Sequence, residues 1–382
     1  MYAYNFGPNH PMSPKRLELT SMLARELGIY ALPHVGVEAS RVASDSELAT
    51  VHSAAYIAAV KRVGNDPSLS DPDRGLGTED DPAFAGMHEA SARLAGASLT
   101  AADALISGTA VHAVNFGGGM HHADREKASG FCIYNDAAMA VTRLLDSGVS
   151  KVAYIDIDAH HGDGTQNIFW DDPRVLTISL HESGLTLFPG TGFANEVGGP
   201  RAQGSAVNVA LPAGTSDGGW LRAFHAVVPQ LVAAFGPEVI VSQHGCDSHR
   251  DDELSHLNTS IDAQREAALS IGALAEQVCG GRWLAMGGGG YNIVSVVPRV
   301  WSHLMAIAAG RPVPLRTPVP PRWREHVLER YGREAPLLMG EDADIWWRSW
   351  EVGYNPSDAL DRTVMATRKA VFPLYGLDPW FD

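Results

Sequence analysis

The sequence has few cysteines and few basic residues for its length. Its 382 residues include only three cysteines, Cys132, Cys246 and Cys279, and no two of them are closely spaced. This excludes a disulfide framework, so we expect reduced thiols and a cytoplasmic location. Lys and Arg number 29 against 44 Asp and Glu, a net charge of −15. Such a balance argues against nucleic acid bound through a broad basic surface.

Long hydrophobic runs and a targeting segment are also missing. No uninterrupted apolar run reaches the ~18 residues of a membrane span. Residues 1–14 lack the basic region and apolar stretch of a signal peptide, so we expect an unprocessed chain with no membrane partner. With 45% hydrophobic and 19% charged residues, the chain can bury a large core.

What the sequence does contain is a repeated order of short apolar run, Gly- or His-rich turn and helical stretch. This order predicts βαβ units in a parallel sheet that is covered on both faces. The six predicted strands are 111–116, 152–157, 175–180, 206–211, 239–242 and 283–286. Helical spacing covers 135–145, 219–235 and 262–278, with Asn135 and either Ser260 or Asp262 as N-caps.

The two ends of the chain differ from this central region. Residues 1–110 are predicted to be mainly helical, with surface loops near 65–81. We expect a catalytic domain over 1–310 and a Pro- and Trp-rich extension over 311–382. The extension is predicted to pack back on the domain, and an interface with a partner or a second subunit is the alternative.

Residues suited to chemistry follow the predicted strands, where an open parallel sheet places its ligand crevice. Asp156, Asp158 and His160 alternate at one strand end, so their side chains leave on one face. A divalent cation would offset the cost of burying these carboxylates. Asp247, at another strand end, completes the set Asp158, His160 and Asp247, which suits zinc, ferrous iron or manganese. A helix cap or an ion pair with Arg is the ordinary alternative for each Asp, and Cys246 is the alternative soft ligand.

The histidine pair His121-His122 follows three glycines and suggests a general base with an electrostatic partner. Asp156 and Asp163 could each hold the Nδ1–H of one of these histidines. Tyr291, after four glycines, could present its phenol to a developing oxyanion, although an ordinary turn aromatic is the simpler interpretation. We treat the remaining histidines as structural or surface groups: His10, His34, His52, His88, His181, His244, His249 and His256 are examples.

Five motifs in this order resemble the histone deacetylase superfamily, and more narrowly the bacterial acetoin-utilisation deacetylases. They are GGGMHHA, YIDIDAHHGDG, SLH with LFPGTG, QHGCD and GGGGY, between residues 117 and 291. Residues 9–16 and the GTEDDPAF segment at 77–84 extend the likeness to nearly the whole chain before Gly310. The resemblance implies one arginase/deacetylase-type α/β domain with a parallel sheet of about eight strands between helical layers.

The resemblance also implies roles for individual residues. It makes Asp158, His160 and Asp247 the metal ligands, pairs His121 with Asp156 and His122 with Asp163, and makes Tyr291 the transition-state phenol. It implies zinc, with ferrous iron as the alternative, and a structural potassium ion at Asp156, Asp158, His160, Ser179 and Leu180. The implied substrate-binding residues are Phe131 and Phe188 around the acyl-lysine stem, Gly130 beside them, Asp80 and Leu254 at the rim, and Arg16 near an internal acetate cavity.

The implied activity is hydrolysis of N-ε-acetyl-lysine in a protein substrate, for which an acyl-CoA synthetase of acetoin or acetate metabolism is a candidate. An acetylated polyamine is the alternative substrate, and a catalytically silent acyl-lysine binding module is a third interpretation. His249 to Asp252 and His256 differ from the small or apolar residues commoner in the family at the tunnel mouth. The chain opens at Met1 inside the family's first strand, which predicts a missing upstream segment or a misassigned start. The oligomeric state stays open.

Overall fold

A single parallel sheet forms the centre of the protein. The computed structural model describes residues 3–382. Six strands lie in the order β1-β6-β5-β2-β3-β4, and every neighbouring pair is parallel. The strands are β1 (His112–Asn115), β2 (Val152–Asp156), β3 (Val175–Glu182), β4 (Ala206–Leu211), β5 (Val239–Gln243) and β6 (Trp283–Met286).

All six predicted strands are confirmed to within two residues at each end. The expected count of about eight is wrong, because residues 3–382 contain six strands in this sheet. Packing at the β4 edge provides a physical reason. Thr367 donates its hydroxyl to the carbonyl of Asn208 on the outer edge of β4 at 2.5 Å. At this point the outer edge of β4 bonds the Thr367 side chain of α11 rather than another strand.

Helices cover both faces of the sheet. Val152 and Tyr154 of β2 pack into one hydrophobic core, whereas Ala153 and Ile155 of the same strand pack into the other. This alternation explains why the strands read as continuous apolar runs. The helices are α1 (Lys15–Glu26), α2 (Asp45–Leu48), α3 (Ala54–Asn65), α4 (Met87–Ser107), α5 (Asp136–Asp146), α6 (Asp163–Ile168), α7 (Asp217–Phe235), α8 (Ile261–Cys279), α9 (Val297–Ala308), α10 (Pro321–Tyr331) and α11 (Ala359–Val371).

Helix starts follow the predicted capping residues. The Asn135 side chain accepts the Ala138 N–H at the start of α5, and Ser260, rather than Asp262, caps α8 through the Ala263 N–H. These side chains satisfy backbone donors that a helix leaves unpaired in its first turn. Within residues 3–382, none of the helices combines the length and apolar character needed to cross a bilayer. The predicted family strand at the start of the chain falls partly on Met1 and Tyr2, outside the described residues.

The C-terminal extension packs against the rest of the chain at two places. Trp323 of α10 is fully buried and donates its indole N–H to the carbonyl of Leu19 at 2.9 Å. Arg222 of α7 forms a buried ion pair with Asp361 of α11, with a shortest N–O distance of 2.6 Å. Trp346, by contrast, is 73% exposed. These contacts join the extension to α1 and α7, while the domain boundary near residue 310 and an interface role for the extension stay predictions.

Candidate active site

Four of the predicted motifs meet at the carboxyl edge of the sheet. They occupy 117–122 after β1, 156–163 from the end of β2, 243–247 from the end of β5 and 287–291 after β6. These strands are consecutive neighbours in the order β1-β6-β5-β2. Because parallel strands all end at the same edge, the loops lie side by side and their polar side chains converge.

Asp158, His160 and Asp247 form a buried cluster at this edge. One ligand-type atom from each residue lies within 4.8 Å of the others. His160 Nδ1 is 3.2 Å from Asp158 Oδ1 and 3.0 Å from Asp247 Oδ2. These are the three residues predicted as metal ligands, and two carboxylates with one imidazole suit zinc, ferrous iron or manganese.

Groups around the cluster hold its carboxylates in place. Asp158 Oδ2 accepts hydrogen bonds from Gln243 Nε2 at 2.7 Å and from the Gly289 N–H at 2.8 Å. A Cβ at Gly245 would lie 1.8 Å from Asp158 Oδ2, so the backbone approaches this closely only with glycine. Burial and the charge of Asp158 raise the pKa of Asp247 to about 7. Two buried carboxylates at this distance repel each other unless a cation binds, so the donor set fits a divalent metal.

Two histidine–carboxylate pairs lie beside the cluster. His121 Nδ1 is 2.7 Å from Asp156 Oδ2, and His122 Nδ1 is 2.7 Å from Asp163 Oδ1. The two imidazole rings are 4.1 Å apart between centroids. Tyr154 also donates its hydroxyl to Asp156 at 2.8 Å. The structure thus forms both predicted pairs, which fix the ring orientations and leave each Nε2 directed away from its carboxylate.

The electrostatic environments of the two histidines are opposite. Burial alone would lower the pKa of His121, but the nearby Asp156 and Asp158 carboxylates raise it to about 9. Burial and the positive charge of His121 lower the pKa of His122. His121 is therefore suited to remain an imidazolium and His122 to act as a neutral base at neutral pH.

Aromatic side chains border the polar site. The Phe188 ring lies 5.1 Å from the His122 ring, and the Phe131 ring lies 5.8 Å from the Tyr291 ring, each in an edge-to-face arrangement. Burial, followed by the charges of neighbouring aspartates, raises the pKa of the Tyr291 phenol well above its ordinary value. Tyr291 therefore keeps its proton and can donate it in a hydrogen bond, as an oxyanion-stabilising group must.

A tight hairpin presents Phe131 to the site. Ser129 and Cys132 exchange backbone hydrogen bonds of 3.1 and 2.9 Å around Gly130 and Phe131. These two central residues have φ values of +56° and +66°, as a two-residue type I′ turn requires. Phe131 is not a glycine, so its left-handed backbone costs about 1–3 kcal/mol. A Cβ at Gly130 would lie 2.2 Å from His122 Cδ2, so Gly130 leaves room for that ring.

The rim residues come from two loops. Asp80 Oδ2 accepts the Gly130 N–H at 2.7 Å, and so joins its loop to the hairpin. On the other side, Asp252 accepts the Leu254 N–H at 3.1 Å and the Tyr291 N–H at 2.7 Å. Asp80 and Leu254 therefore both lie next to elements that border the site. Beyond Phe131 a groove of about 720 Å³ opens between residues 6–11 and 79–82.

The residues implied for the acetate cavity and potassium lie behind the site. The Arg16 guanidinium is buried and donates to the carbonyls of Gly288 at 2.8 Å and Gly290 at 3.3 Å. Ser179 is the β3 neighbour of Asp156 on β2, and the buried Leu180 follows it. These positions bring the implied residues to the back of the site, and their roles stay predictions.

Sequence reasoning missed several groups that support the site. His10 was classed as structural, but its ring lies 4.5 Å from that of Phe131. Tyr4 donates its hydroxyl to the Phe131 carbonyl at 2.6 Å, across 127 residues of sequence. The Gln243 and Asp252 contacts were also not foreseen. Gln243 is the last residue of β5 and the first of the QHGCD motif, so its position was an available signal. Nothing local in the sequence connects Tyr4 with Phe131.

The contacts of Cys246, His181 and His249 agree with the structural roles that the sequence suggests for them. Cys246 is fully buried in a small hydrophobic cluster with Trp301 and Val297, as expected for a small apolar residue. His181 contacts the Ser179 hydroxyl at 2.8 Å. His249, near the predicted mouth, lies 3.1 Å from both carboxylate oxygens of Glu341. These groups are held by internal partners.

Comparisons with known proteins agree with the geometry. Residues 10–308 match the histone deacetylase domain family. The chain is 44% identical over 349 residues to acetoin utilization protein AcuC of Bacillus subtilis (strain 168), covering 90% of this chain and 88% of that protein. It is 39% identical to AcuC of Staphylococcus xylosus, covering 84% and 83%. A solved structure of an HDAC homologue complexed with SAHA superposes with a TM-score of 0.80 at 28% identity, covering 96% of both chains.

Proposed function

This chain belongs to the histone deacetylase family, and from that premise we propose that it hydrolyses the N-ε-acetyl-lysine amide in proteins, releasing lysine and acetate. One observation carries the proposal. The cluster of Asp158, His160 and Asp247 lies beside the His122–Asp163 pair, and aromatic rings that can hold an aliphatic lysine stem border the same site.

Asp158, His160 and Asp247 would hold the catalytic metal, with zinc as the proposed ion and ferrous iron as the alternative. When bound, such an ion polarises the acetamide carbonyl and lowers the pKa of a water molecule beside it. We also propose that potassium binds at Asp156, Asp158, His160, Ser179 and Leu180, where it would balance part of the local negative charge.

His122 is the proposed general base. Its lowered pKa keeps it neutral, so its Nε2 can take a proton from the attacking water while Asp163 holds Nδ1. The protonated His122 then returns that proton to the departing lysine amine. His121, with its pKa of about 9, stays positively charged and favours the negative charge that develops nearby.

Tyr291 is the proposed oxyanion donor. Its hydroxyl donates to the carbonyl oxygen as that oxygen becomes negative during attack. Phe131 and Phe188 hold the lysine stem by apolar contact and exclude water from the reacting amide. Asp80 at the rim accepts a backbone N–H of the substrate, and Arg16 assists departure of acetate at the back of the site.

Two relatives of this chain are named acetoin utilization proteins, and these names favour a metabolic role. We propose that the enzyme regulates an acyl-CoA synthetase of acetoin or acetate metabolism by removing an acetyl group from its lysine. The second candidate is hydrolysis of an acetylated polyamine. The exposed acidic residues Asp251 and Glu253 flank Asp252, which accepts the Tyr291 N–H, and they favour that candidate because they could attract a cationic amine.

Steady-state hydrolysis of an acetyl-lysine peptide and an acetylated polyamine by the zinc-loaded protein tests the proposal. We expect a higher kcat/KM for the peptide, and loss of that turnover in Tyr291→Phe. A higher kcat/KM for the polyamine would assign the enzyme to small-molecule metabolism instead. Tight binding of the peptide with no turnover under zinc or ferrous iron would favour a binding module.

A further inference from the structure

Phe131 needs external support to keep its ring at the active site. Its φ of +66° is a conformation that residues with a side chain rarely adopt. The hairpin hydrogen bonds between Ser129 and Cys132 define the turn. They leave the carbonyl of Phe131 itself unpaired within the turn. Rotation about the N–Cα bond of Phe131 would relax its positive φ, and it would move the Phe131 ring and the Phe131 carbonyl together.

The Tyr4 hydroxyl occupies the position where it opposes this rotation. It donates to the Phe131 carbonyl at 2.6 Å and accepts the Ile133 N–H at 3.2 Å. One hydroxyl thus holds the peptide groups on both sides of Cys132. Tyr4 is only 5% exposed, and its ring packs edge-to-face against Phe6 at 5.2 Å and Phe84 at 5.8 Å. Its hydroxyl is therefore fixed relative to the hairpin.

The other side of the turn is also held from outside. Asp80 accepts the Gly130 N–H, and the His10 ring contacts the Phe131 ring. The His10 ring in turn is oriented by the Met12 N–H, which donates to its Nδ1 at 3.1 Å. These contacts restrain the ring and the first peptide group of the turn. Among the described residues, the Tyr4 hydroxyl is the side-chain donor to the Phe131 carbonyl.

We propose that Tyr4 is a positioning residue that sets the Phe131 ring, and with it the width of the acyl-lysine passage. The inference rests on the proposed function, since it takes the space beside Phe131 as the place where the lysine stem binds. Tyr4 contacts neither the cluster of Asp158, His160 and Asp247 nor the proposed base His122. Its loss should therefore weaken substrate binding more than it slows the chemical step.

The chain offers a closely matched control in Tyr56. This tyrosine is fully buried and donates its hydroxyl to the Ile133 carbonyl at 2.7 Å. Tyr4→Phe and Tyr56→Phe each remove one buried phenol hydroxyl that donates to a backbone carbonyl in the same loop. They differ in two hydrogen bonds: the Tyr4 hydroxyl donates to the Phe131 carbonyl and accepts the Ile133 N–H, whereas the Tyr56 hydroxyl donates to the Ile133 carbonyl. A general loss of stability should affect both variants alike.

The first test compares these two variants in steady-state deacetylation of an acetyl-lysine peptide. We expect Tyr4→Phe to raise KM about tenfold with kcat within about threefold, as loss of binding without loss of transition-state contacts predicts. Tyr56→Phe should change both constants by less than about twofold. Equal kinetic constants in the two variants would overturn the inference while leaving the proposed function intact. Absence of both binding and turnover in the wild type would overturn both.

A double-variant cycle tests whether Tyr4 acts through Phe131. In a Phe131→Ala background the ring is gone, so Tyr4→Phe should have no further effect on KM. If Tyr4→Phe raised KM by the same factor in both backgrounds, Tyr4 would act by another route and the inference would be wrong.

Labelling of Cys132 gives a readout that needs neither metal nor substrate. Cys132 ends the hairpin and is 3% exposed, whereas Cys246 is fully buried in another cluster. We expect a thiol reagent, with mass spectrometry to locate the adduct, to modify Cys132 faster in Tyr4→Phe but not in Tyr56→Phe. Faster labelling of Cys132 and Cys246 together would show general unfolding and contradict a positioning role.

Discussion

The floor of the active site and its wall are built in different ways. The floor consists of side chains at the ends of neighbouring parallel strands, such as Asp158 and Asp247. The wall consists of the hairpin around Phe131, which is held by Tyr4 and Asp80 from distant loops. The floor inherits its rigidity from the sheet, while the wall depends on a few individual contacts. Changes to the floor should therefore abolish chemistry, and changes to the wall should tune binding.

The largest effect is expected at the floor. Asp247→Ala should abolish hydrolysis and lower metal affinity by more than about 100-fold, since removal of groups behind a ligand already costs 10–100-fold. Elemental analysis of purified protein measures the bound metal. The melting temperature of the metal-free variant should not be lower than that of the metal-free wild type, because the variant relieves repulsion between two buried carboxylates. Asp251→Ala, an exposed change nearby, is the control. Full metal content in Asp247→Ala would contradict the ligand assignment.

Tyr291 lies where floor and wall meet. Tyr291→Phe should lower kcat by about 100- to 1,000-fold, equivalent to roughly 3–4 kcal/mol, because one oxyanion donor is lost. KM and metal content should stay near their wild-type values, since the ring and its contact with Phe131 remain. Pre-steady-state and steady-state kinetics measure these constants. A near-normal kcat would exclude Tyr291 from this role.

Gly130 couples the wall to the floor. In Gly130→Ala the new Cβ would meet the His122 ring, so we expect kcat to fall by about 10- to 100-fold through a displaced base. Gly108→Ala is the matched control, because Gly108 also has a positive φ of +71° but no atom within 4 Å of the new Cβ. Gly108→Ala should lose about 1 kcal/mol of stability from its positive φ, and Gly130→Ala should lose more because its Cβ also overlaps the His122 ring. Equal activity in the two would mean that His122 tolerates the displacement.

The smallest effect concerns a buried histidine, His52, that contacts the chain after the wall hairpin and acts at acidic pH. Burial lowers the pKa of His52 to about 4, and its Nε2 accepts the Asn135 N–H at 3.0 Å. A folded-state pKa below the unfolded value gives stability that is fully present above about pH 6.5 and declines as pH falls toward 4. Between pH 7 and 5.5, His52 should account for about 1 kcal/mol of lost stability.

Denaturant titrations of the wild type and His52→Gln at both pH values measure this contribution. The variant should show a smaller loss on acidification, while His34→Gln, at an exposed position, should follow the wild type. Identical pH dependence in His52→Gln and the wild type would mean that His52 protonates without cost in the folded protein.

The sequence predicts the floor far better than the wall for a physical reason. Strand periodicity and the strand-end motifs are local patterns, and parallel pairing then brings Asp158, Asp247 and Tyr291 together without further information. All six strands followed from these patterns. The expected count of eight strands was wrong, and the group that pairs with a sheet edge, such as Thr367 with Asn208, comes from a residue far along the chain.

Support for the wall could not be predicted in the same way. No local pattern connects Tyr4 with Phe131, and positive φ at a phenylalanine contradicts its intrinsic preference. The His10 ring was misjudged for the same reason, since a single histidine in a loop carries no information about its spatial neighbours.

The strand order imposes a sequence of events during synthesis. Within residues 3–382, β1 pairs only with β6, which lies more than 160 residues later in the chain. At about 5–20 residues per second, translation leaves β1 without its partner for on the order of ten seconds or more. By then β2 and β3 are already available to pair, so we expect the sheet to grow outward from its middle and β1 to join late. The GGGMHHA segment after β1 therefore reaches its place at the active site only when nearly the whole domain has emerged from the ribosome.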